Sequence, residues 1–173
     1  MSRATMFKSC GNSENLRTAF NALREFVTDA LTGNTCRSDP GLTIGSSSKK
    51  AVKAVAFTFN IKGMPYAHAG AETAFAATTD DVADGYTRIY NLEVPATGTI
   101  IITPGTAVLT ANASTAAAPA VTAAHAKIGE VKIAASGAIF NATTDDLDAS
   151  HLTVTYTDFD YLTQTDGFDL TEA

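Results

Sequence analysis

The sequence predicts a mainly β protein, an antiparallel β-sandwich or barrel-like domain preceded by one N-terminal α-helix and an extended arm. Three observations carry this. The run AVKAVAFTFNIK, Ala51 to Lys62, places Val55, Phe57, Phe59 and Ile61 on one face against Ala, Thr and Asn on the other, the period of a half-buried strand. Turn signals recur at Gly63/Pro65, Pro95/Gly98, Pro104-Gly105 and Ser136-Gly137. They cut the chain into about seven to nine short strands at the spacing of antiparallel sandwiches and barrels. Only one stretch, from about Asn15 to Leu31, has a helical period, and no βαβ pattern occurs.

The 173 residues suffice for one ordinary domain with an appendage. Charged residues are 17%, below the usual quarter, so the surface is polar through hydroxyls rather than charges. The net charge of -6 gives no global footprint for nucleic acid. Nine of the twelve Lys and Arg residues nevertheless fall in the first 62 positions, and acids dominate the rest. That asymmetry reads as a solvated face or as an N-terminal part that meets an acidic partner. No stretch is long and apolar enough to span a membrane. The N-terminal MSRATMFKSCGNSEN lacks an apolar core, so no signal peptide is expected and synthesis in the cytoplasm is. Cys10 and Cys36 flank the helix, whose ends lie roughly 27 Å apart. Free thiols are expected, because a disulfide needs Cα atoms within about 7 Å.

In chain order, residues 1–12 have no period and read as an arm. Ser13 or Asn12 caps the helix, and Gly33 ends it. Leu16, Phe20, Leu23, Val27 and Ala30 alternate gaps of four and three, a seam of little over two heptads. It packs either on the chain's own sheet or against copies of itself, leaving Arg17 and Arg24 outward. NTCRSDPGLTIGSSS, Asn34 to Ser48, reads as a turn and a flexible connector. A boundary is therefore set between an N-terminal unit, 1–48, for anchoring or oligomerisation, and a β-domain, 49–173, that ends in an acidic tail.

Within the β-domain, MPYAHAG reads as an edge strand because Pro65 cannot donate to a central ladder. YTRIYNLEV, Tyr86 to Val94, alternates Thr87, Ile89, Asn91 and Glu93 with Tyr86, Arg88, Tyr90 and Leu92. TIIIT, Thr99 to Thr103, reads as a buried strand, and Ala107–Thr110 as a short one. ANASTAAAPAVTAAHA, Ala111 to Ala126, reads as a surface loop because Pro119 and the β-branched residues oppose a helix. KIGEVKIAA, Lys127 to Ala135, sets Ile128 on one face and Val131 and Ile133 on the other. HLTVTYT, His151 to Thr157, turns Leu152, Val154 and Tyr156 inward.

One motif occurs twice, as FAATTDDV at Phe75–Val82 and FNATTDDL at Phe140–Leu147. Asp80 and Asp81 match Asp145 and Asp146. Clustered acids can hold Ca²⁺, but the glycine placement and terminal Glu of an EF-hand loop are missing. A self-bonded Thr/Asp turn pinned by a Phe and an aliphatic clamp is preferred. His68, His125 and His151 have no ligand-spaced partners, so no metal or cofactor is expected. No Walker loop, G-x-S-x-G elbow or G-x-G-x-x-G occurs, and no carboxylate pair stands out. A non-enzyme is expected.

Four features between about Val52 and Phe159 carry a further indication: the strand AFTFNIKGMPYAHAG, the pair RIYNLEVPATGTIIITPG, the loop-and-strand AAPAVTAAHAKIGEVKI, and the closing FNATTDDLDASHLTVTYTDF. In these the chain resembles structural proteins of tailed bacteriophage virions, of the head-decoration, cement and head-fibre kind. The resemblance implies a non-enzymatic component of the capsid surface that contacts the major capsid protein as a dimer or trimer, without nucleic acid or membrane. Its helix and basic arm would face the shell. The alternatives are a tail or baseplate module binding a host glycan, and a hydrolase with an unrecognised carboxylate pair.

Overall fold

The computed structural model describes Arg17, Phe20, Asn21, Arg24, and residues 33–75 and 78–159. The four isolated residues have helical backbone. The rest of the predicted helix lies outside the described residues, including Leu16, Leu23 and Val27, as do the arm, Cys10 and the acidic tail.

The described part is mainly β, with antiparallel sheets and no closed barrel. Eleven strands occur among the described residues: β1 (Thr35–Cys36), β2 (Thr43–Ile44), β3 (Ala51–Ala54), β4 (Phe57–Ile61), β5 (Met64–His68), β6 (Ala71–Ala74), β7 (Tyr86–Pro95), β8 (Ile101–Pro104), β9 (Val108–Leu109), β10 (His125–Ala135) and β11 (Leu152–Asp158). They form three sheets, ordered β1-β4-β5, β2-β3-β6 and β11-β10-β7-β8, with β9 also paired to β7.

The first two sheets are one bent ribbon. β4 and β5 form a hairpin around Lys62-Gly63, both at positive φ, the geometry that matches the right-handed strand twist. The same two arms pair again as β3 and β6. Between the two pairings the chain kinks at Val55–Ala56 and at Ala69–Gly70. A Cβ on Gly70 would come within 2.9 Å of the Ala54 carbonyl oxygen, and its φ is +87°. Only glycine fits that approach without strain. The kink corrects the single strand expected over Ala51–Lys62. Phe57, Phe59 and Ile61 are buried, but Val55 sits at the bend and is exposed. β5 pairs only with β4, so it is an edge, as Pro65 requires.

Residues Asn34–Ser48 also depart from expectation. These residues are the third arm of the ribbon rather than a flexible connector: β1 pairs with β4, and β2 with β3. Cys36 and Leu42 are buried, and the Leu42 N–H donates to Asp158 Oδ1 at 2.7 Å. Asp39 accepts from the Gly41 N–H and so closes the Asp-Pro-Gly turn on itself. Gly-Ser-Ser-Ser has the composition of a linker, but its amides have a built-in acceptor, described below.

The ribbon and the third sheet share one apolar core. Phe57, Phe59, Ile61, Val52 and Leu42 meet Tyr90, Leu92, Val94, Ile128, Val131 and Ile133. Ile128 was expected opposite Val131 and Ile133, yet all three are buried. The register of β10 against β7 shifts between Lys127 and Gly129. The extra residue of this bulge changes the parity of the strand, so apolar positions on both sides of it reach the core. Gly129 is buried there, and a Cβ would stand 2.2 Å from Leu42 Cδ1 and 2.6 Å from the Thr157 carbonyl oxygen. The bulge thus makes the socket that Leu42 fills. TIIIT also departs from expectation. It yields only an edge strand, β8, in which Ile101 is exposed and the preceding Ile100 is buried.

Candidate functional site

The two F-x-A-T-T-D-D segments meet. Val82 and Phe140 form an isolated antiparallel bridge, with N–H to carbonyl distances of 3.0 and 2.9 Å. Phe75 packs edge-on against both Phe140 and Tyr90, with ring centroids 5.7 and 5.0 Å apart. The acids face backbone. Asp81 Oδ1 accepts from the Ala142 N–H at 2.8 Å, across to the other segment, and Asp145 Oδ2 accepts from the Asn141 N–H at 2.8 Å within its own. That backbone donor is the main reason the Asp145 carboxyl is held below the usual range, with Thr144, the Asn141 side chain and His151 assisting. Tyr90 donates its hydroxyl to the Asp80 carbonyl, and burial pushes its ionisation upward. Arg88 donates to the carbonyls of Thr79 and Asp81. Asp146 caps a short turn through its carbonyl, which accepts from the Ala149 N–H. In this cluster the Asp81 and Asp145 carboxylates accept backbone N–H groups, while Asp80 and Asp146 take part through their main-chain carbonyls.

A second site was not legible in the sequence. Thr87, Asn91 and Glu93 lie on the outer face of β7 and are fully buried, although their alternation with Tyr90 and Leu92 suggests a solvated face. The Ala-rich segment 111–124 crosses above them. Asn91 Nδ2 donates to the Pro119 carbonyl, and Glu93 Oε2 accepts from the Thr122 N–H at 3.0 Å. His125 Nδ1 is 3.1 Å from the same Glu93 oxygen. Directly across the ladder from Glu93 stands Lys127. Its ammonium pairs with Glu130 and rests 4.2 Å from the centroid of Phe159. Asn34, Val121, Thr122, His125, Lys127 and Phe159 line a cleft beside the pair. Asn91 Oδ1 and Glu93 Oε1 are buried without a hydrogen-bond partner. The one signal for this site was a Glu and an Asn in mid-strand, in a chain with an uncharged segment long enough to cover them.

The third polar assembly is a nest. The N–H groups of Ser46, Ser47 and Ser48 and the Ser46 hydroxyl all donate to the Glu72 carboxylate, at 2.7 to 3.1 Å. Successive amides turned to one point make an anion site, and here the anion is the protein's own side chain. The Ser47 amide, then Ser46, lower the Glu72 carboxyl from 4.5 to about 2. Gly45 makes the loop possible, since a Cβ there would lie 2.2 Å from the Ser48 carbonyl oxygen.

The other histidines are also engaged. His68 accepts from the Gly70 N–H at 2.9 Å and stacks on Phe57, and His151 lies 3.7 Å from Asp145. Among the described residues no group of three or more His, Cys, Asp or Glu converges to hold a metal ion. Of the predicted interface residues, only Arg17, Phe20 and Arg24 are described, and Phe20 is 55% exposed. Comparisons with protein-family models, curated proteins and solved structures find no match to this chain.

Proposed function

We propose that the protein is a non-enzymatic structural component of a tailed-bacteriophage virion that decorates or cements the capsid surface, or forms a short head fibre, as a homo-oligomer. One observation supports the non-enzymatic reading above others: seven of the described carboxylates are committed to backbone. Asp39, Glu72, Asp81, Asp84, Glu93, Asp145 and Asp158 each accept at least one main-chain N–H. A catalytic carboxylate must instead reach a substrate proton or carbon. Here the acids fasten loops to sheets, which suits a particle part that must endure rather than turn over. The virion assignment rests on the sequence resemblance set out above. The finer architecture belongs to the same proposal: a sandwich-like β-domain carrying an N-terminal helix and arm, with Leu16, Phe20, Leu23 and Val27 as the oligomer seam and Arg17 and Arg24 turned to the major capsid protein.

The test is capsid binding by the full chain and by a chain that begins at Gly33. Truncation further in, at Ser46, would remove Cys36 and Leu42 from the core and confound the result. The shortened chain should melt cooperatively but no longer bind empty capsids. Undiminished binding would overturn the anchoring role. In sedimentation Phe20→Asp should lower the oligomer order, and an unchanged oligomer would place the seam within one subunit.

A further inference from the structure

We propose that residues 111–124 form a strap over the outer face of β7 that opens as a unit while the three sheets stay folded, with Glu93 as its latch. The strap is held mainly by polar contacts. None of its residues is buried, so none of its side chains joins the apolar core. Its attachments to β7 are polar and directional. The Thr87 and Thr110 hydroxyls meet at 3.2 Å where the strap begins, Asn91 donates to Pro119, and Glu93 accepts from Thr122. Inside the strap, Thr110–Thr115 form a short 3-10 helix, which the Ala116 N–H closes on the Ala113 carbonyl at 3.3 Å, and the Thr115 hydroxyl donates to the Asn112 carbonyl. Segments with few apolar contacts open locally at a small fraction of the global unfolding free energy.

The closed state also holds costs that opening removes. Ala124, at the exit, has φ +62°, a left-handed conformation unfavourable to any residue with a Cβ. Beneath the strap, Asn91 Oδ1 and Glu93 Oε1 are sealed from water with no partner. Opening hydrates both. Against these costs stands the amide of Thr122, which donates to Glu93 Oε2, the oxygen that the ring of His125, at the start of β10, also approaches. A hydrogen bond to an ionised carboxylate is roughly twice as strong as one between neutral groups, so Glu93 dominates the closure. The strap carries no titratable side chain, so the pair beneath it and Lys127 beside it set its electrostatics.

The experiment is native-state hydrogen exchange on the full chain, with elastase digestion, since elastase cuts after small residues. The Thr122 amide should exchange at least about tenfold faster than those of Tyr90 and Val131, an opening easier by about 1.4 kcal/mol. Elastase should nick within 111–124 and leave the two fragments associated. Glu93→Gln, which keeps the shape and removes the charge, should speed exchange at Thr122 about tenfold further and leave Tyr90 and Val131 unchanged. Exchange of Thr122 in step with Val131 in the wild-type chain would overturn the strap. Equal acceleration at all three amides in the variant would overturn the latch. Should the variant not fold, the wild-type exchange and digestion still decide whether the strap opens.

Discussion

The two faces of β7 are buried to the same depth by opposite means. On the inner face Tyr90, Leu92 and Val94 join an apolar core made with the ribbon. On the outer face Thr87, Asn91 and Glu93 are equally inaccessible, yet they are covered by a strap tied down through hydrogen bonds. Apolar burial is worth roughly 25 cal/mol per Å² and does not depend on orientation. A hydrogen bond nets only about 1 kcal/mol, but it becomes costly when half of it is removed. The inner face therefore supplies stability, and the outer face supplies placement. A residue's burial alone does not say which of these it contributes.

Substitutions can break or sharpen this contrast. The largest effect is expected at Phe140, where the twin segments meet against Phe75. Phe140→Ala should cost about 3–5 kcal/mol in denaturant unfolding, and a double-mutant cycle with Phe75→Leu should show non-additivity. Leu92→Ala, on the inner face, should cost about 2–5 kcal/mol. Its neighbour Asn91→Ala, on the outer face, should cost about 1 kcal/mol. Equal losses at the two positions would refute the contrast. Gly129→Ala should destabilise by about 1–3 kcal/mol through overpacking, and Leu42→Ala in the same chain should recover part of that loss by vacating the socket. Smallest in global terms is the Glu72 nest. Its carboxyl is depressed in the folded protein to about 2, so its contribution is present above the unfolded value of about 4.5 and is lost as pH falls through about 2. Exchange protection at Ser46–Ser48 should fall across that window, corrected for intrinsic rates, while protection at Val131 declines less. Protection unchanged down to pH 2 would show that the loop holds without the carboxylate.

Local features that depend on neighbouring residues were legible. The edge character of MPYAH followed from Pro65, and the surface course expected over Ala111–Ala126 followed from Pro119 and the weak period, holding up to Ala124, after which β10 begins. Phe57, Phe59 and Ile61 were expected on one face and are buried together. Reading failed where a distant segment changes what a pattern means. Val55 continues the alternation of its strand but lies at a bend set by the approach of Gly70 to Ala54. Period counting sets Ile128 opposite Val131 and Ile133, because the bulge between Lys127 and Gly129 leaves no mark on the period. Glu93 and Asn91 obey the polar half of an alternation, yet a segment some thirty positions later covers them. Gly-Ser-Ser-Ser reads as a linker until Glu72 comes within reach of its amides.

By itself the sequence determined that the chain is mainly antiparallel β, where its main turns fall, and which strand must be an edge. Those properties follow from φ preferences, missing donors and side-chain alternation over a few residues. Only the tertiary structure decided that 34–48 belongs to the sheets, that the twin Phe-Thr-Thr-Asp-Asp segments bridge one another, and that the outer face of β7 is sealed. Each of those depends on a donor meeting an acceptor, or a side chain meeting a socket, across a long stretch of chain. Spacing along the sequence does not encode that meeting.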